Sequence, residues 1–116
     1  MFEDAEKDFI LPNTLGAMAK TFYVKTAKNL KQDNWFLKQG STVTGVKVIA
    51  QGEQIHEVQR LINKYLLPNG EFTKPEDWYK VRGTAVVTDG VEEIHWYQCE
   101  NIGKVEFKVK QWGDKD

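Results

Sequence analysis

The sequence predicts a single α+β domain in which one main helix packs on an antiparallel sheet whose last three strands form a meander. Three observations carry that expectation. Period-two apolar segments begin at Thr21, one stretch between Ile55 and Leu66 repeats its apolar residues at spacing three and four, and short turn signals join the last three strand-like runs. A chain of 116 residues has room for one such domain. Hydrophobic residues at 41% and aromatics at 12% supply a core that a disordered chain lacks.

Residues 1–19 read as an amino-terminal arm. Residues 1–8 hold four acids, Phe9-Ile10-Leu11 runs into a Pro12-Asn13 turn, and residues 15–19 are long enough for one helical turn. The domain itself spans residues 20–112, and residues 113–116 are a tail. Residues 21–25, 34–38 and 43–50 are the first strands, with Gln39-Gly40-Ser41 suited to a hairpin between the second and third. Ile55, Val58, Ile62 and Tyr65, flanked by Leu61 and Leu66, form the apolar stripe of a helix of roughly fifteen residues that ends before Pro68-Asn69-Gly70. Thr73-Lys74-Pro75-Glu76 has the spacing of a capping box and predicts one helical turn ending near Trp78. Strands over 79–88, 91–99 and 104–112 follow, joined by turns at Asp89-Gly90 and Asn101-Ile102-Gly103.

Sixteen basic and seventeen acidic residues give a net charge of −1, which excludes a general cationic coat for nucleic acid. Locally the balance differs. Lysines 20, 25, 28, 31, 38 and 47 face one acid, Asp33, with Phe22, Tyr23, Trp35 and Phe36 interleaved. Such a stretch suits a polyanion with stacking partners, and it equally suits a solvated β-hairpin. No apolar run reaches the roughly 18 residues of a membrane span, and the acidic opening is not a secretory signal. The expected location is the cytoplasm, or delivery as part of a larger secreted or phage protein.

The single cysteine, Cys99, excludes an internal disulfide and a CxxC metal knuckle, and it has no neighbouring cation in sequence to activate it as a nucleophile. Two histidines far apart, His56 and His95, do not make a zinc site, and the glycines form no phosphate loop. No metal or cofactor is expected. Strand alternation places Glu93, His95, Tyr97 and Cys99 on one face and Ile94 and Trp96 on the other. In the last strand it sets Val105, Phe107 and Val109 against Lys104, Glu106, Lys108 and Lys110. With the helix covering the Ile94/Trp96 face, the other face displays Glu93, His95 and Tyr97 beside a row of lysines. A carboxylate, an imidazole and a phenol among ammonium groups suit acid–base chemistry on a phosphodiester, the lysines holding phosphate. They suit a solvated sheet face as well.

Phe36-Leu37-Lys38-Gln39-Gly40-Ser41 running into Val46-Lys47-Val48-Ile49-Ala50 and a helix forms one block. Trp78-Tyr79-Lys80-Val81-Arg82-Gly83, Glu93-Ile94-His95-Trp96-Tyr97-Gln98 and Gly103-Lys104-Val105-Glu106-Phe107-Lys108-Val109-Lys110 form a second. Over residues 35–112 these resemble small carboxy-terminal domains of bacterial polymorphic toxins and phage head-morphogenesis proteins, some assigned to the barnase/colicin/RelE-like ribonuclease superfamily. The resemblance implies metal-independent RNA cleavage. His95 would lead as the acid/base group, with Glu93 or Tyr97 as its second and His56 as an outsider. Lys108 or Lys110 would contact phosphate, assisted by Lys80, Arg82 and Lys47. It also implies a cognate immunity protein as a partner. The alternative is a non-catalytic toxin- or phage-associated module that offers the same face to a protein or nucleic acid.

Overall fold

A computed structural model of the chain describes residues 20–24, 27–30, 36–87 and 90–110. In chain order these form β1 (Lys20–Tyr23), β2 (Lys28–Asn29), β3 (Phe36–Leu37), β4 (Thr42–Gln51), a 3-10 turn at Gly52–Gln54, helix α1 (Val58–Lys64), a 3-10 turn at Pro75–Asp77, β5 (Trp78–Val87), β6 (Gly90–Cys99) and β7 (Gly103–Val109). The fold is α+β. Five antiparallel strands make one sheet in the order β1-β4-β5-β6-β7, and β2 pairs with β3 separately. The last three strands are a meander. No helix among the described residues is long and apolar enough to cross a membrane. The expected arm features at residues 9–19 and the tail at 113–116 lie outside the described residues.

Several local expectations are corrected. Residues 36–37 do not form a hairpin with β4, because β3 takes β2 as its partner and β4 pairs with β1. The turn at Gln39-Gly40 is instead pinned to the end of β1: Gly40 N donates to Val24 O at 2.7 Å and Val24 N to Ser41 O at 2.9 Å. The helix has seven residues, not fifteen. Ile55 is buried ahead of it, and Tyr65 leaves helical geometry at φ −115, ψ 103. Thr73 does not cap the next turn. Its hydroxyl accepts the buried Trp78 indole N–H at 2.7 Å, and Asp77 Oδ2 takes the Lys74 amide at 3.0 Å in its place. Gly90 pairs with Val87, so it belongs to the ladder and not to the turn.

The largest correction concerns the two faces of β7. Between the pairs His95↔Lys108 and Tyr97↔Val105, β6 supplies one residue and β7 two, which is a β-bulge. Glu106 occupies it at φ 59, a conformation uncommon outside glycine. The extra residue reverses the alternation, so Val105 faces one way and Phe107 and Val109 the other. Phe107 and Val109 join Val46, Val48, Val81, Ile94 and Trp96 in one buried cluster, which Val24, Leu30, Leu37, Val43 and Ala85 complete. Val105 joins Trp78, Cys99 and the helical Val58, Leu61 and Ile62 in the second. The helical residues therefore share a buried cluster with Tyr97 and Cys99, not with Ile94 and Trp96.

Candidate functional site

Directly opposed residues of antiparallel strands point to the same face. The pairs Lys47↔Arg82, Arg82↔His95 and His95↔Lys108 thus set Lys47, Arg82, His95 and Lys108 side by side across β4, β5, β6 and β7. Lys47 reaches this face because a bulge at Gly45 (φ 62) puts Val46 and Val48 into the core and leaves Lys47 exposed opposite them. One step along the strands the opposed residues are Thr44, Thr84 and Glu93, and the Lys110 amide donates to Glu93 O at 2.8 Å.

Glu93 is the hub. Its Oε2 lies 2.7 Å from His95 Nε2 and accepts from Arg82 Nε at 3.2 Å. The bond with His95, followed by Arg82, lowers the Glu93 pKa below its ordinary value, against the opposing effect of burial. The Glu93 side chain is 39% exposed and that of Arg82 34%, whereas His95 is 2% exposed. The open histidine expected on this face is therefore a buried one, and the carboxylate beside it is the group solvent can reach. Among the described residues Glu93 Oε1 accepts no hydrogen bond.

A shallow concavity next to His95 is lined by Arg60, Lys80, Tyr97, Glu106 and Lys108 among others. Tyr97 is half-buried and packs at the edge of the helix-side cluster, so it too departs from the expected open face. The Lys80 ammonium stands 5.8 Å from its ring centroid, and Lys80 is itself 5% exposed. Arg60 and Glu106 were not singled out by sequence. Glu106 accepts from Arg60 Nη1 and Nη2, from the Tyr65 hydroxyl at 2.8 Å and from Lys64 at 3.4 Å. Alternation alone assigned it to a solvated lysine row, and nothing in the local sequence marks a bulge at a glutamate.

No family model, no curated protein and no solved structure matches the chain.

The remaining sequence candidates separate. Lys47, Arg82, Glu93, His95 and Lys108 come together, with Lys110 at the end of β7 adjoining Glu93 through its backbone. His56 is exposed in the turn before α1 and lines no part of the concavity. Cys99 is fully buried and its thiol is pushed up to about 12 by desolvation first, then by Asp77 and Glu100. No group of three or more His, Cys, Asp or Glu stands together among the described residues as a metal-binding cluster. In the lysine-rich stretch, Tyr23, Lys38 and Lys47 are exposed, while Lys25, Lys31 and Trp35 lie outside the described residues.

Proposed function

We propose that this chain is a metal-independent endoribonuclease domain of the toxin-like kind, with its chemistry centred on the Glu93–His95 pair. The single observation that carries the reading is the 2.7 Å contact between a buried imidazole and a half-exposed carboxylate, flanked across the strands by Arg82 and Lys108. Helix α1, packed on the same face of the sheet, walls one side of the site.

The chemistry follows from these positions. Glu93 takes the proton of a ribose 2′-hydroxyl, and the 2′-oxygen attacks the adjacent phosphorus. The bond from phosphorus to the 5′-oxygen breaks, and the proton held between Glu93 and His95 passes to that leaving oxygen. The products are a 2′,3′-cyclic phosphate and a 5′-hydroxyl. Arg82 and Lys108 offset the charge that develops on the non-bridging oxygens. His95 acts through Glu93, as a positioning and proton-holding residue. Tyr97 lies four residues from Glu93 along an extended strand, about 13 Å, which is too far for both to serve one phosphodiester.

The test is cleavage of a labelled single-stranded RNA and of total tRNA in EDTA, beside Glu93→Gln and His95→Gln. The expected result is cyclic-phosphate ends from wild type and a loss of 10²-fold or more, by order of magnitude, in Glu93→Gln. A folded wild type without cleavage, or an undiminished Glu93→Gln, overturns the reading. Burial of His95 favours a second one, a non-catalytic module that seats RNA or a cognate immunity protein on this face. Binding without cleavage is its signature.

A further inference from the structure

The cations of the site are not clustered around one point but strung across the sheet. From Lys47 to Lys108 the row crosses three strand spacings of about 4.8 Å each, roughly 14 Å in all. Its third station, His95, is buried, and there the half-exposed Glu93 carboxylate interrupts the positive charge. Lys47 and Arg82 thus stand on one side of a negative group and Lys108 on the other. A lone phosphate would meet cations on one side and the carboxylate on the other. A chain of phosphates would meet cations on both sides, with the carboxylate falling between successive phosphates, where a sugar lies.

We infer that the row Lys47–Arg82–Glu93/His95–Lys108 is a track for the backbone of a single-stranded RNA laid across the strands, with Lys47 a phosphate subsite beyond the scissile bond. The inference rests on the ribonuclease reading for its substrate class and adds a direction, a minimum length and a residue. Lys47 lies two strands from His95 and is exposed, so it binds a flanking phosphate and takes no part in bond making. A substrate with a single phosphate cannot use both ends of the row.

Two measurements test this on wild type, Lys47→Gln and, as a control, Lys74→Gln, an exposed lysine that does not line the site. The first is binding of a labelled deoxyoligonucleotide of about twelve residues, which lacks the 2′-hydroxyl and stays intact, as a function of salt. The second is kcat and KM for an RNA of the same length and for a dinucleoside monophosphate. In Lys47→Gln, binding should weaken about fivefold and the salt slope should fall by about 0.7, the contribution of one phosphate contact on a single strand. KM for the long RNA should rise with kcat unchanged, and the dinucleotide should react as with wild type. Lys74→Gln should match wild type throughout. Unchanged binding in Lys47→Gln, equal damage to both substrates, failure of wild type to bind the oligonucleotide, or displacement of the oligonucleotide by polyglutamate as readily as by RNA would each overturn the track. Cleavage retained alongside any of these leaves the ribonuclease reading standing. Binding that loses its slope in Lys47→Gln, without cleavage of either RNA, supports the track and overturns the nuclease.

Discussion

Arg60 grips Glu106 through both ends of its guanidinium group, Nη1 to Oε2 at 3.0 Å and Nη2 to Oε1 at 2.8 Å. The contact ties α1 to the bulge of β7, 46 residues away in sequence. Glu106 foremost raises the Arg60 pKa above its already high ordinary value, with burial opposing and Glu57 adding to the rise. The carboxylate is 5% exposed and the guanidinium side chain 40%, so the bonds to Glu106 count for more than a surface ion pair would.

Replacing Glu106 separates the network from the backbone conformation. Glu106→Ala removes the bonds from Arg60, Lys64 and Tyr65 and should cost about 2 kcal/mol in urea denaturation. Glu106→Gly removes the same bonds but relieves a φ of 59, and should be about 1 kcal/mol more stable than the alanine variant. A glycine variant less stable than alanine would show that the bulge is not strained at this residue.

Acid titration should read out the Glu93 site. Its folded pKa lies below the ordinary 4.5, with His95 the first cause. The stability this group contributes is therefore fully present above pH 4.5 and lost as pH falls through the folded value. Glu93→Gln should flatten that part of the acid limb of Tm against pH. In His95→Gln the carboxyl carbon of Glu93 should titrate closer to 4.5 by NMR, and in Arg82→Gln it should move less. A Glu93 midpoint indifferent to His95 would contradict the assigned contact.

The Cys99 thiol should be inert while the chain is folded. Burial holds its pKa near 12, so the thiolate that reacts with a disulfide reagent is scarce at pH 8. Labelling should proceed at the rate of unfolding and become immediate in urea. Fast labelling of the native protein would refute the assigned burial.

Gly83 of β5 leaves no room for a side chain beside β4. A Cβ there would lie 2.7 Å from Val43 Cγ1, 3.2 Å from Thr44 O and 3.3 Å from the Trp96 ring. Val43 is β-branched and cannot easily turn aside. Gly83→Ala should cost about 1–3 kcal/mol, and the cost should shrink when Val43→Ala opens the space. Additive losses in the double variant would place the clash elsewhere.

The period-two pattern made the strands of the main sheet legible, and the turn before β7 was legible to within one residue, Gly103 pairing with Cys99 in the ladder, because each depends on neighbours in sequence. Residues decided by distant partners were not legible. Val105, Phe107 and Val109 alternate flawlessly on paper, yet the bulge at Glu106 splits them between two clusters, and its stabilising partner Arg60 lies on another element. Likewise Glu93, His95, Arg82 and Lys108 were identified by residue type, but burial of His95 depends on tertiary packing that alternation does not encode. The strand Lys28–Asn29 escaped notice because two residues carry no period.

The β5–β6 ladder runs through ten consecutive pairs, from Trp78↔Cys99 to Val87↔Gly90, without a shift, whereas the β1–β4 and β6–β7 ladders each carry one and the β4–β5 ladder two. Contacts that zip outward from a two-residue connection incur almost no loop-closure entropy, while joining β4 to β5 must close the whole Gly52–Asp77 excursion first. The hairpin is thus the natural starting point of folding. Ile94→Val on it should slow refolding, and Val46→Ala on β4 should mainly speed unfolding. The strands that carry Arg82, Glu93 and His95 would then be in register before Lys47 arrives to extend the row.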